Sequence, residues 1–389
     1  MISNRVELKL ISAILTGILL SNLSIFSAPF YIGALIDGLG LNAIQAGLVN
    51  TFEIGAVAGV TLVFANYVDR ISLRYLALTG ALIILLANLV SLAIDGYLPM
   101  LLIRTLAGTG AGLCLAASSA LLSRVKDPDR VMGIVLVCNT LTLIVLLSIM
   151  GYAKQQWMFS GVIGLLTIVL LLMIPLMMLI PTRPVAAHKA ETADSNMDIN
   201  RSIGLLGIGL LIVFCLIEGG VLSFSERVAT RLGISETDIG KLLALAYAAG
   251  LAGASLVALL GDKIPRIFPI CTGISLMGIA SLVVYHTQSN LLFSIFLCSF
   301  TFGFFIAFPY LIGACARLDS NGYWAARASG ANLIGVAFAP FMAGTIVSTT
   351  SYQTLGLLCF CLALVCLVLA LVFNYRIKQQ LCETRVPLT

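Results

Sequence analysis

Apolar residues run along this chain in stretches of about twenty, set apart by short polar turns, and the rhythm repeats twelve times. A helix rising 1.5 Å per residue needs about 20 residues to cross a hydrocarbon layer of roughly 30 Å, so each stretch predicts a membrane-spanning helix rather than a barrel strand. The first six spans are expected at Leu10 to Ile32, Ala43 to Phe64, Tyr75 to Ile94, Leu98 to Leu122, Val131 to Tyr152 and Trp157 to Ile180. The second six are expected at Ile203 to Leu222, Ile239 to Leu260, Ile267 to Tyr285, Leu291 to Ala314, Ala325 to Val347 and Leu355 to Phe373.

The polar positions between the spans repeat as well. Gly40, Leu41, Asn42, Gly47, Asp69 and Arg70 return 193 positions later as Gly233, Ile234, Ser235, Gly240, Asp262 and Lys263. Asn42 with Gln45, and Ser235 with Asp238, set a cap residue three positions before an acceptor side chain, so both copies start their second helix alike. Gly47, Gly55 and Gly59 in one copy and Gly240, Gly250 and Gly253 in the other allow close backbone packing in lipid. The one long polar stretch between spans carries Pro181, Pro184, Glu191, Asp194, Asp198 and Arg201 without apolar periodicity. It divides the chain into a six-helix bundle at 1–180, a linker at 181–201 on the cytoplasmic side, and a second bundle at 202–389. Six is even, so the copies are parallel repeats about an axis along the membrane normal.

Composition strengthens this picture. The chain is 60% hydrophobic and only 10% charged, too few charges to cover a water-exposed surface. Of the 22 Lys and Arg, 17 fall on one side of the expected topology; Lys154, Arg227, Arg231 and Lys241 fall on the other, and Arg104 lies within a span. Basic residues translocate poorly, so both termini are expected in the cytoplasm of a cell whose inner membrane holds the protein as a multi-pass chain. The net charge of +5 is this bias rather than a nucleic-acid footprint. The first span resembles a signal peptide in its flanks, with Arg5 and Lys9 ahead and Ser27 and Ala28 behind, but it is too long and eleven spans follow. Nine of the ten cysteines fall within spans and read as small apolar packing. His188 and His286 stand apart, so neither a metal site nor a cofactor is expected.

The segment Ala65-Asn-Tyr-Val-Asp69-Arg70-Ile-Ser72-Leu-Arg74 resembles the signature of the major facilitator superfamily between its second and third helices. Asp69, Arg70 and Arg74 agree with it, while Ala65 and Ser72 replace glycines and Leu73 replaces a basic residue. Asp262, Lys263 and Arg266 match the degenerate second copy of that signature. Arg104-Thr-Leu-Ala-Gly108-Thr-Gly110 is similar to the fourth-helix motif of proton-linked members. The fifth span carries Gly133, Cys138 and Thr140 where drug/proton antiporters have a Gly-Pro motif; a related pattern stands in the eleventh span, Gly335 through Pro340 to Gly344. The resemblance implies an all-α membrane fold of twelve helices, with the first, fourth, seventh and tenth around a central cavity. It also implies that Arg104 tunes protonation of a nearby acid.

Ionisable groups within hydrocarbon cost several kcal/mol unless they pair or face a cavity, which singles out Glu53, Arg104 and Glu218 as proton-coupling candidates. Glu53 either carries a proton or is held by a neighbour such as Asn22 or Asn50. Arg104 has Glu53 as its natural partner; a fixed ion pair or an anionic substrate are the other readings. Glu218 reads as a second proton or cation site or as a wet rim residue, and Glu226, Arg227 and Arg231 read as a loop cluster beyond the span. Asp69, Arg70, Arg74, Asp262 and Lys263 read as a conformational latch, and Asn22, Tyr31, Tyr247, Phe304 and Tyr310 as walls of the substrate cavity.

The reading that follows is a secondary active transporter working by alternating access on a small organic solute. Proton-coupled efflux is expected, with proton-coupled uptake of a small organic anion as the alternative; a monomer in the bilayer suffices for either. An enzyme would need a nucleophile with its base or a metal-binding helix, and a primary pump a phosphate-binding loop, none of which the chain contains.

Overall fold

A computed structural model describes residues 2–65, 67–68, 70–125, 128–180, 201–261, 263–318 and 323–385. Among them the chain forms twelve α-helical elements: α1 (Ile2–Phe26), α2 (Ala28–Leu39), α3 (Ala43–Ala65), α4 (Leu73–Ser91), α5 (Tyr97–Leu122), α6 (Pro128–Met177), α7 (Arg201–Arg231), α8 (Glu236–Leu260), α9 (Ile267–His286), α10 (Asn290–Ala316), α11 (Tyr323–Thr349) and α12 (Tyr352–Arg385). Ten of these are long and apolar enough to cross a membrane singly, and α1 with α2 forms one further span bent by 51°.

The chain departs from one helix per span at two places. The first span breaks at Ser27, because Pro29 has no N–H to offer the carbonyl of Ile25 and its ring crowds the preceding turn. The fifth and sixth spans join into α6, which reverses at Trp157 (φ −131°, ψ 15°) and Met158 (φ 47°, ψ −127°). Gly161 then packs against the carbonyl of Ala153, eight residues back, which a straight helix would hold about 12 Å away.

The sequence repeat is a repeat of contacts. Gly40 and Gly233 both take left-handed backbone, φ 66° and 78°, just ahead of α3 and α8. Asn42 and Gln45 then cap each other reciprocally, backbone N–H to side-chain oxygen at 3.1 and 2.9 Å; Ser235 accepts from the Asp238 N–H at 3.2 Å and donates to its carboxylate at 2.7 Å. Within the bundles, Gly80 and Gly110 present bare backbones to each other between α4 and α5, and Gly273 and Gly303 do the same between α9 and α10. Both glycines of the second pair stand 193 positions after those of the first.

Between the bundles the main contacts are α3 with α11, α6 with α8, and α2 with α7. Gly47 of α3 lies against the carbonyl of Pro340 of α11, and Gly240 of α8 against that of Leu147 of α6, the same 193-residue offset carrying one pair onto the other. The Phe341 N–H donates across the same α3–α11 seam to Thr51 Oγ1 at 3.2 Å. The end of the bundle bearing Arg74, Arg124, Arg317 and Arg376 is called the basic face below, and the end bearing Lys154 and Arg227 the opposite face.

Candidate functional site

Glu53 of α3 and Arg104 of α5 meet in the first bundle, 1% and 2% exposed. Arg104 Nε donates to Glu53 Oε2 at 3.0 Å and its Nη2 to Oε1, a two-pronged pair. Nη1 donates to Asn88 Oδ1 of α4 at 2.7 Å, and Asn88 Nδ2 passes the chain on to Thr167 Oγ1 of α6 at 3.1 Å. Ser24 of α1 donates its hydroxyl to Glu53 Oε1 at 2.5 Å, and the Arg104 guanidinium stands 5.3 Å from the centre of the Tyr31 ring. Neither Asn22 nor Asn50 holds Glu53; Ser24 does. Gly108 allows this meeting, since its bare Cα lies against the Glu53 backbone. Every member belongs to α1 through α6, so the network is internal to one bundle.

Glu218 has a different setting. It is 8% exposed and lies 13 residues before the end of α7, so the wet rim, one of its two readings, does not hold: α7 runs on to Arg231, about two and a half turns past the apolar stretch that ends at Leu222. Among the described residues its carboxyl has no hydrogen bond or ion pair. It lines a small chamber between the bundles with Asn50 of α3, Ser223 of α7, Ile25 at the break of the first span, and Val336 and Pro340 of α11. Asn50 is fully buried, and neither atom of its amide has a partner among the described residues. An uncompensated carboxyl and an unsatisfied amide facing one space are costly unless something fills it.

Above this chamber the opposite face is closed by charge. Glu226 and Arg227, expected in a loop, are instead in α7, and Glu226 is 0% exposed. Lys154 of α6 places its ammonium 2.5 Å from Glu226, 2.7 Å from Glu236 of α8 and 3.0 Å from Asp37 of α2. Arg227 binds both oxygens of Asp37 and also Glu226 Oε2 at 2.8 Å. Gly33 makes the approach possible, because any side chain there would collide with the Glu226 carboxylate. Sequence reading missed Asp37, Lys154 and Glu236; the available signal was that Lys154 is a rare lysine on the side poor in basic residues.

The remaining candidates scatter. Tyr247 and Phe304 join a run of rings from α1 to α7: Phe26 to Tyr247 at 5.9 Å, Tyr247 to Phe305 at 6.5 Å, Phe305 to Phe304 at 5.5 Å and Phe304 to Phe214 at 5.3 Å. Tyr310 instead donates its hydroxyl to the Gly261 carbonyl at 2.8 Å, closing the end of α8, and Asn22 is half-buried on α1. Of the latch residues, Asp69 and Asp262 lie outside the described residues, as does the linker at 181–200. Arg70 is exposed, Arg74 donates to the Met178 carbonyl at the basic end of the sixth span, and Lys263, just past α8, donates to the Leu259 carbonyl of that helix at 3.2 Å.

The sequence profile of the Major Facilitator Superfamily matches residues 11–318 and 206–381. The chain belongs to the major facilitator superfamily. It is thus a transporter of the secondary kind and not an enzyme, a multi-pass membrane protein with the superfamily's two parallel helical repeats. Solved structures share the superfamily fold over nearly the whole chain. A peptide transporter POT in complex with alafosfalin superposes with a TM-score of 0.73 at 13% identity, covering 94% of this chain and 95% of that one. A POT family transporter in complex with 5-aminolevulinic acid gives 0.72 at 14%, covering 95% and 96%. A bacterial homolog of the human lysosomal transporter Spinster, inward-facing and unoccupied, gives 0.69 at 13%, covering 95% and 96%. Comparison with curated proteins by sequence gives no match.

Proposed function

We propose that this superfamily member exports a small organic solute in exchange for protons, with Glu218 carrying the proton. The observation that carries the reading is the contrast between its two buried acids. Glu53 is held by two prongs of Arg104 and by Ser24 inside one bundle, so rocking of the bundles leaves its surroundings unchanged. Glu218 is bare and lies where the bundles meet, so the same motion alternately wets and dries it. A carboxyl that exchanges water for a dry wall binds a proton in one state and releases it in the other.

The alternative, uptake of an organic anion on Arg104, has less support. All three guanidinium nitrogens of Arg104 already donate to Glu53 and Asn88, and a 2% exposed side chain has no fork to offer a solute. Within the proposal Glu53 and Arg104 brace the first bundle. The run of rings through Tyr247 and Phe304 supplies an apolar wall for the solute. The basic face is cytoplasmic, and the signature residues Asp69, Arg70, Arg74, Asp262 and Lys263 latch that face when the opposite face opens. A monomer in the inner membrane carries out the cycle.

The test uses purified protein in liposomes with a pH dye inside. An imposed pH gradient should drive solute movement opposite to the proton. Glu218→Gln should abolish proton movement while leaving solute-for-solute exchange. Glu218→Gln with full proton-driven flux would reject the assignment, and solute moving with the proton would reject export by exchange.

A further inference from the structure

The chamber around Glu218 also has the composition of a cation site. We infer that it binds a small monovalent metal ion, sodium, and that sodium and the proton compete for it. The inference rests on Glu218 as the coupling carboxyl and adds the identity of a second ion.

Three observations support it. The first is the inventory of oxygens. Glu218 brings a carboxylate without a counter-ion, Asn50 an amide oxygen without a donor, and Ser223 stands beside them with a hydroxyl. Two prolines add backbone acceptors. Pro29 withholds the N–H that would otherwise take the Ile25 carbonyl, and Pro340 withholds the one that would take Val336, and both Ile25 and Val336 line the chamber. The Val336 oxygen lies 3.5 Å from where a Cβ on Gly219 would stand, so it faces α7 at the level of Glu218. Hard cations without d-electron demands take such all-oxygen sets, and broken helices with freed carbonyls are where membrane transporters hold them.

The second is size. The space open to the centre of a water-sized sphere is about 10 Å³, the room of about one such particle. That room matches a bare alkali ion better than the body of an organic cation. The third is charge. Titratable neighbours of Glu218 are the Tyr247 hydroxyl from α8 and the Cys215 thiol one turn back on α7. On α3 the nearest ionised group is Glu53, tied to Arg104, and the first span and α11 bring only Ile25, Ala28, Val336 and Pro340 to the chamber. No described cation already neutralises the carboxylate, so one incoming positive charge balances the site, whether it arrives as a proton or as sodium.

The experiment is a thermal-unfolding titration of the purified full-length protein in nanodiscs with sodium chloride, against choline chloride at constant ionic strength and with methylammonium chloride as a parallel arm. Sodium should raise Tm saturably, and the half-saturating concentration should increase at least tenfold as pH is lowered from 8 to 6. Asn50→Ala should weaken the effect at least fivefold, and Glu218→Gln should remove it; Glu218→Asp serves in its place should the glutamine variant not fold. Absence of a sodium-specific shift in the wild type, an equal shift in Glu218→Gln, or a shift with methylammonium alone would overturn the inference. Proton flux measured in sodium-free liposomes separates the two claims. Flux that depends on Glu218 without sodium binding leaves the proton reading standing and removes this one, and sodium binding without any proton flux does the reverse.

Discussion

Gly344 of α11 lies so close to the carbonyl oxygen of Ala43 of α3 that no carbon could replace its hydrogen without moving a helix. Gly151 of α6 bears the same relation to Glu236 of α8, and 193 positions separate the members of the two pairs. Both contacts lie toward the opposite face and join one bundle to the other. Gly344→Val should therefore act on the closed state in particular. Overpacking costs about 1–3 kcal/mol, enough to raise the population open on that face by about fivefold or more. In a cysteine-free background, a Ser223→Cys probe should be labelled by an impermeant thiol reagent at least five times faster when Gly344→Val is present.

The Glu53–Arg104 pair makes a stability prediction. Removing one charge leaves the other buried without a counter-ion, at a cost of about 3–5 kcal/mol. Arg104→Leu alone should lower Tm by several degrees, and the double variant with Glu53→Leu should recover most of the loss, as followed by thermal unfolding in detergent. Equal losses in the single and double variants would show that the pair is not one unit.

Lys154 is surrounded by three carboxylates from three helices, two of them in the second bundle. Lys154→Met should loosen the opposite face, because Glu226, fully buried, keeps Arg227 as its one counter-ion among the described residues, with a hydrogen bond from the Thr230 hydroxyl at 3.2 Å. The Ser223→Cys probe should again label faster, by about tenfold, while Tm changes less than in Arg104→Leu. High salt should not mimic the variant, since buried pairs are screened little.

Asn50 gives the opposite signature. Its amide is buried without partners, so Asn50→Leu removes a group that costs about 1–3 kcal/mol to leave unsatisfied. Tm should stay level or rise, and proton-driven flux should fall at least tenfold, a separation that thermal unfolding and flux assays on one preparation would reveal.

The spans, their duplication and the caps at Asn42 and Ser235 were legible in the sequence because lipid demands long apolar runs and helix starts demand particular side chains. Glu53 and Arg104 were legible as partners because a guanidinium in hydrocarbon cannot stay alone. What apolar runs conceal is where a helix continues past the membrane core. α7 keeps its hydrogen bonding through Ser225 to Arg231, and so Glu226 and Arg227, expected in a wet loop, are helical and largely buried. The joining of the fifth and sixth spans at Trp157 and Met158 was hidden for a similar reason, since neither residue is a turn former. Divergence also blurs the repeat. Where the first copy has Gly108 against the Glu53 carbonyl, the second has Thr301 donating its hydroxyl to the Ala246 carbonyl at 2.5 Å, a tie that no comparison of residue types would align.

Two residues that line the interbundle chamber, Ile25 and Glu218, are themselves separated by the repeat interval of 193. Equivalent positions of the two copies thus line one chamber, one greasy and one acidic. Leu297 and Ala246 likewise occupy the places that Arg104 and Glu53 hold in the other copy. The halves are no longer interchangeable parts: an artificial pairing of two first halves would contain two tethered acids and no loose one, and would form a barrier with nothing to drive it.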